Sequence, residues 1–296
     1  MTQVAIPGGI SLEYDAFGDQ ADPAVLLVMG FGAQLIAWPD EFCAMLAAGG
    51  RFVVRYDNRD CGLSTKMDGT PDLGAIIEAA SAGHFDRARA LVPYTLSDMA
   101  DDGLALLTAL GIDRAHVVGA SMGGMTAQTM AIEHPERVLT LTSMMASTGE
   151  PEFGQSTPEA LQVLMTPAPS DRDGYIRFAD ESLVWASKKY PDRDRLRELA
   201  ARSYDRAYCP QGAARQIAAL LANGPTVEGL RQLRLPTLVI HGLDDTLVTP
   251  SGGERTAFVV PGAHLLLIEH MGHDRPKPLW PRIVSEILQL TGSASN

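Results

Sequence analysis

The chain has 296 residues, 46% of them hydrophobic, enough for one large core with an inserted cap and no second domain. Thirty-six acidic residues against 24 basic ones give a net charge of −12, which repels phosphate backbones and excludes nucleic acid as the expected partner. Three widely spaced cysteines (Cys43, Cys61, Cys209) without a CxxC suggest neither a disulfide framework nor a zinc site. Met1 to Pro7 has no leader pattern and no run approaches the ~18 apolar residues of a membrane span, so a cytoplasmic protein with no membrane partner is expected.

Short apolar runs alternate with helix-period segments, the pattern of a largely parallel sheet covered by helices on both faces. Strands are predicted at about 10–17 (ISLEYDAF), 24–29 (AVLLVM), 52–56 (FVVRY), 115–119 (AHVVG), 137–144, 236–241 (PTLVIH) and 263–268 (AHLLLI). Helices are predicted at about 39–49, 97–110, 122–133, 251–259 and 279–290, with Ser97 and Asp98 as the N-terminal cap of the second and Gly111 as its stop. From Gly149 to Leu233 the alternation ends and charge, Pro and Tyr increase, so 149–233 reads as a helical cap between core segments 1–148 and 234–296. The tail from Gly292 to Asn296 is expected to be disordered.

Gly119-Ala120-Ser121-Met122-Gly123 follows the strand AHVVG and opens the helix MGGMTAQTMAIEH. A serine in a sharp strand-to-helix turn needs minimal neighbours two residues either side, hence the flanking glycines, and sits where free helix N–H groups favour an oxyanion. Without that setting, G-x-S-x-G among 28 glycines is only a modest signal.

A serine hydroxyl needs an adjacent base, and the base needs an orienting carboxylate. Two later strand exits offer them: Gly242-Leu243-Asp244-Asp245-Thr246 after PTLVIH, and Glu269-His270-Met271-Gly272-His273-Asp274 after AHLLLI. Asp245 is favoured over the adjacent Asp244, and His273, behind the tight turn Met271-Gly272, over His270. His84, His116, His134, His241 and His264 read as structural. The backbone amides of Met122 and of Phe31, in the turn Met29-Gly30-Phe31-Gly32, are the candidate oxyanion donors.

The stretches LLVMGFGAQLIAWPDEF, VVRYDNRDCGLST, HVVGASMGGMTAQTMAIEHPERV, TLVIHGLDD and IEHMGHDRP resemble the α/β-hydrolase superfamily, in the branch that contains aclacinomycin methylesterase. The resemblance covers the sheet but scarcely the cap. It implies an α/β-hydrolase fold with a mostly parallel eight-stranded sheet, a triad of Ser121, Asp245 and His273, an oxyanion hole of Phe31 and Met122, and no cofactor or metal. Met29, where many members carry His, and Thr246, where Pro often follows the acid, depart from the pattern. Asp57-Asn58-Arg59-Asp60, in a loop the family shares, reads as a polar brace for the oxyanion loop in preference to a substrate contact.

The expected activity is hydrolysis of a neutral, bulky or apolar carboxylic ester, such as a methyl ester or lactone, through an acyl-enzyme on Ser121. Gly30, Trp38, Met144, Met145 and Trp185 are the candidate substrate contacts. Perhydrolase or haloperoxidase chemistry, C–C bond hydrolysis and a non-catalytic ligand-binding relative are the alternatives.

Overall fold

The computed structural model describes residues 2–294. The chain opens with strands β1 (Thr2–Ile6), β2 (Ile10–Phe17) and β3 (Ala24–Val28), then helix α1 (Asp40–Ala48) and strand β4 (Phe52–Tyr56). Helices α2 (Leu73–Ser81), α3 (Phe85–Arg89) and α4 (Leu96–Ala109) lead to β5 (Ala115–Ala120), α5 (Met122–Glu133) and β6 (Val138–Met144). Between β6 and β7 (Thr237–Gly242) lie α6 (Pro158–Met165), α7 (Arg172–Phe178), α8 (Arg193–Arg206), α9 (Pro210–Asn223) and α10 (Val227–Gln232). The chain closes with α11 (Ser251–Val259), β8 (His264–Ile268) and α12 (Trp280–Ser293).

The eight strands form one sheet in the order β1-β2-β4-β3-β5-β6-β7-β8. The β1–β2 and β2–β4 pairs are antiparallel and the others parallel. Every residue of β3, β4 and β5 is buried, because alternate side chains enter cores on opposite faces. Leu26 and Val28 of β3 join Leu104, Leu107 and Met130 beneath α4 and α5. Val25 and Leu27 join Phe42, Leu46, Ile283 and Ile287 beneath α1 and α12. The chain passes from β3 outward to β4 and returns to β5 on the other side of β3, so the C-terminal ends of β3 and β5 lie side by side at a reversal of strand order.

Three features differ from the sequence expectation. β1 is an additional edge strand whose Thr2 and Gln3 are exposed, so it lacks an apolar run. Helix α4 is capped by Thr95, two residues earlier than expected: Thr95 Oγ1 accepts from the Asp98 N–H while the Asp98 carboxylate accepts from the Thr95 N–H. Helix α12 runs through Gly292 to Ser293, so the expected disorder does not begin at Gly292, and Ser295 and Asn296 lie outside the described residues. No helix among the described residues is long and apolar enough to cross a membrane.

Buried ion pairs and amide contacts fasten α8 and α9 to the loops after β3 and β4. Arg215 on α9 makes two hydrogen bonds of 2.8 Å to the Asp60 carboxylate, and neither side chain is more than 6% exposed. Arg206 at the end of α8 donates to Asp57 at 2.6 Å and to Gln34 at 2.8 Å. Deleting one member of a buried pair strands the other charge without compensation. Arg215→Ala is therefore expected to destabilise the fold by about 3–5 kcal/mol, measured by urea unfolding, whereas removing the exposed Arg172–Asp205 pair should leave the same measurement nearly unchanged.

Candidate active site

Ser121 stands at the turn from β5 into α5 with φ 57° and ψ −126°, a backbone conformation that side-chain-bearing residues rarely adopt. Surrounding contacts hold it there. Its N–H donates to the Met144 carbonyl at 2.9 Å, and its carbonyl accepts from the Gly124 and Met125 N–H groups at 2.8 and 3.1 Å. A methyl group on Gly119 would overlap the Gly123 carbonyl, and one on Gly123 would overlap the Val28 carbonyl at the end of β3. The two glycines are thus set by close backbone approach, and the turn brings Ser121 against the loop after β3.

Asp245 and His273 come from the loops after β7 and β8. The Asp245 side chain has no exposed surface; its Oδ1 accepts from the Leu247 and Val248 N–H groups, both at 2.9 Å, and its Oδ2 lies 2.7 Å from His273 Nδ1. A carboxylate only accepts, so Nδ1 carries the hydrogen, and the lone pair on Nε2 faces the Ser121 hydroxyl at 2.9 Å. Burial alone pushes the Asp245 carboxyl up; the charge His273 carries when protonated, with its hydrogen bond and the nearby His241, outweighs burial and holds it at about 2.

The rival residues face elsewhere. Asp244 accepts from the Lys188 N–H at 3.2 Å, and the exposed His270 packs edge-on against Tyr190. Of the other histidines, His116 pairs with Thr140, His134 with Asp101, and His241 with the Val248 carbonyl. Fully buried His241 also lies 3.5 Å from Asp245, behind the carboxylate, a contact that no motif signals.

The turn Gly30-Phe31 closes the other side. A methyl group built on Gly30 would lie 3.0 Å from Ser121 Cβ and 3.5 Å from its Oγ. Phe31 and Met125 are partly buried beside Met122, with Leu220 of α9 in the same cluster, so an apolar surface flanks the serine. Among the described residues, no hydrogen-bond acceptor faces the Phe31 or Met122 N–H. The loop after β4 braces this turn: Asn58 donates to the Met29 carbonyl at 2.9 Å, and Asp57 accepts from the Leu35 N–H at 2.7 Å. Gln216 on α9 accepts from the Gly32 N–H and donates to the Arg59 carbonyl, contacts that no motif announces.

Trp185 is partly buried and its carbonyl accepts from the His273 N–H at 2.7 Å. Trp38 and Met144 have no exposed surface, and Met145 only 2%. Trp38 packs against Phe42, the Arg275 guanidinium lies 4.1 Å over its ring, and Trp38, Phe42 and Met144 belong to the core beneath α1 and α12, which leaves Trp38 and Met144 no surface to offer a ligand. Two surface clefts, of about 510 and 330 Å³, are lined without Ser121, Asp245 or His273. No group of three or more metal-ligating side chains is found among the described residues.

The family model for the alpha/beta hydrolase fold matches residues 23–274. The chain belongs to the α/β-hydrolase family. It is 30% identical to the rhodomycin D methylesterase DauP of Streptomyces sp. (strain C5), over 99% of both chains. It is 29% identical to the rhodomycin D methylesterase DnrP of Streptomyces peucetius, over 97% of this chain and 96% of that one. Among solved structures, an enol-lactonase from Burkholderia xenovorans LB400 shares the fold with a TM-score of 0.74 at 22% identity, covering 98% of this chain and all of that one. The eight-stranded, mostly parallel sheet with flanking helices agrees with this α/β-hydrolase assignment.

The low-lying Asp245 carboxyl has a consequence for stability. A folded-state value of about 2, below the ordinary 3.8, means the stabilisation is complete above about pH 4 and is lost as pH falls from there towards 2. Urea unfolding across that window should show wild-type stability falling more steeply than that of Asp245→Asn, which has no carboxyl to protonate, by on the order of 2 kcal/mol.

Proposed function

We propose that this α/β-hydrolase is a serine carboxylesterase that hydrolyses a neutral, bulky or apolar ester, of the methyl-ester or lactone type, through an acyl-enzyme on Ser121. The observation that carries the reading is the continuous hydrogen-bond chain from Ser121 Oγ through His273 to the buried Asp245. In this scheme Ser121 Oγ attacks the ester carbonyl while His273 Nε2 takes its proton, and the tetrahedral oxyanion is met by the Met122 and Phe31 N–H groups. His273 then gives the proton to the leaving alcohol, and water repeats the sequence to release the acid. Asp245 fixes the tautomer and stabilises the imidazolium without itself taking the proton.

The apolar preference is supported by Phe31, Met125 and Leu220 beside the serine, and by the methylesterase activity that the names of the two Streptomyces relatives carry. We assign residues 149–233 as the cap over this site; its last helix, α10, packs through Val227 and Leu230 into the core beneath α4 and α5, and α9 packs against α2 and α3. We place the reaction in the cytoplasm, where Cys43, Cys61 and Cys209 stay as thiols.

Ser121→Ala is expected to lower kcat by up to about 10⁶-fold and to abolish labelling by a fluorophosphonate probe, with the wild-type modified peptide containing Ser121. Near-normal turnover in that variant removes the nucleophile assignment. In a panel of esters, kcat/KM for methyl esters of bulky aromatic acids should exceed that for short-chain acyl esters by at least about tenfold. Equal rates across the panel overturn the apolar-pocket assignment.

A further inference from the structure

We propose that Asp274 is a positioning residue for this reaction: it clamps the segment 184–188, between α7 and α8, onto the loop that carries His273. The role in turnover rests on the acyl-enzyme reading above; the clamp itself rests on geometry. Asp274 Oδ1 accepts two backbone hydrogen bonds, from the Ser187 N–H at 3.0 Å and from the Gly272 N–H at 3.1 Å, and so ties the two segments together one residue on either side of His273. Between those ties the His273 N–H donates to the Trp185 carbonyl at 2.7 Å, and Ser187 Oγ donates to the His270 carbonyl. A methyl group on Gly272 would sit 2.5 Å from the Ala186 carbonyl carbon and 2.7 Å from the Ser187 nitrogen, so the segments meet at glycine-only separation.

The same segment reaches the acid loop. Thr246 Oγ1 donates to the Val184 carbonyl at 3.0 Å, and the Lys188 N–H donates to Asp244 at 3.2 Å. Five consecutive residues thus span the loops of both Asp245 and His273, and a single Asp274 oxygen joins the segment to the base loop. Without it, the Ser187 and Gly272 N–H groups lose their acceptor, and the His273 backbone keeps a single bond to Trp185. A displacement of about 1 Å at a reacting group costs on the order of 10²-fold in rate, so the effect belongs in kcat and not in binding. What matters is the acceptor atom and not the charge, which separates a clamp from an electrostatic partner of His273.

The test compares full-length wild type, Asp274→Ala and Asp274→Asn in three measurements: the fluorophosphonate labelling rate at Ser121, kcat and KM for an ester that the wild type turns over, and the downfield proton resonance of His273 Nδ1–H. D274A is expected to fold, to label and turn over about 10- to 100-fold more slowly with KM within about twofold, and to lose or broaden the resonance. D274N, which keeps the acceptor oxygen, should recover most of the lost rate and the resonance. Should D274A not fold, Ser187→Ala removes the donor to the His270 carbonyl and the acceptor for the Tyr190 N–H, and is expected to slow labelling by about two- to tenfold. Wild-type labelling and an unchanged resonance in D274A or, if that variant does not fold, in S187A overturn the proposal, as does a D274N no better than D274A. A wild type that fails to label at Ser121 yet shows the resonance sinks the esterase reading alone, and the loss or survival of that resonance in the variants still decides the clamp.

Discussion

A carboxylate with no exposed surface is tolerable only where donors replace its water, and Asp245 depends on that condition. Two amides of its own loop satisfy one oxygen and His273 satisfies the other. Because the carboxylate can only accept, it dictates which imidazole nitrogen carries hydrogen, and the remaining lone pair is left for Ser121. The orientation of the serine hydroxyl is thus set by a charge two hydrogen bonds away. His241 adds a neighbour at 3.5 Å whose own nearer bond closes the loop onto the Val248 carbonyl, so the turn that supplies the amides is pinned from behind.

The strained backbone of Ser121 is the complementary constraint. Strain at one residue persists only when the surroundings over-determine it. Here the surroundings are the Met144 carbonyl, the first turn of α5 and the tight approach of Gly123 to the end of β3. The approach that demands glycine at Gly123 also carries the β3 loop, with Gly30 and Phe31, to the serine. Ser121 and the candidate oxyanion donors are therefore brought together by one packing contact, between the first turn of α5 and the end of β3, at the point where the strand order reverses.

How much of this was legible in the sequence depends on whether a residue's reason is local. Strands such as β3, AVLLV, are short apolar runs because both faces are covered, and such runs are visible. β1 is hidden because an exposed edge strand needs only Ile6 in the core. Thr95 escapes in favour of Ser97 because both precede the same apolar run, and only the reciprocal bond with Asp98 decides between them. Gly119, Ser121 and Gly123 are legible through their spacing, which the turn itself imposes. Trp38 reads as a pocket aromatic from its type, yet the stacked Arg275, 237 positions away by number, encloses it. Gln216, Ser187 and the Trp185 carbonyl act through hydrogen bonds to distant backbone, and backbone carries no sequence signal.

Besides the apolar packing of α9 and α10, the segment between β6 and β7 is tied to the loops at the ends of the sheet by two kinds of contact. On the side of the β3 and β4 loops, Arg206 and Arg215 hold buried Asp57 and Asp60, and separating them would leave buried charge uncompensated. On the side of Asp245 and His273, the ties are mostly hydrogen bonds to backbone groups, each worth about 1 kcal/mol net and each able to re-form with water. Between them, α7 meets α8 through an exposed Arg172–Asp205 pair and a tyrosine cluster, while Leu161 and Met165 of α6 are exposed. The attachment is therefore weaker at α6 and α7 than at the buried pairs of Asp57 and Asp60.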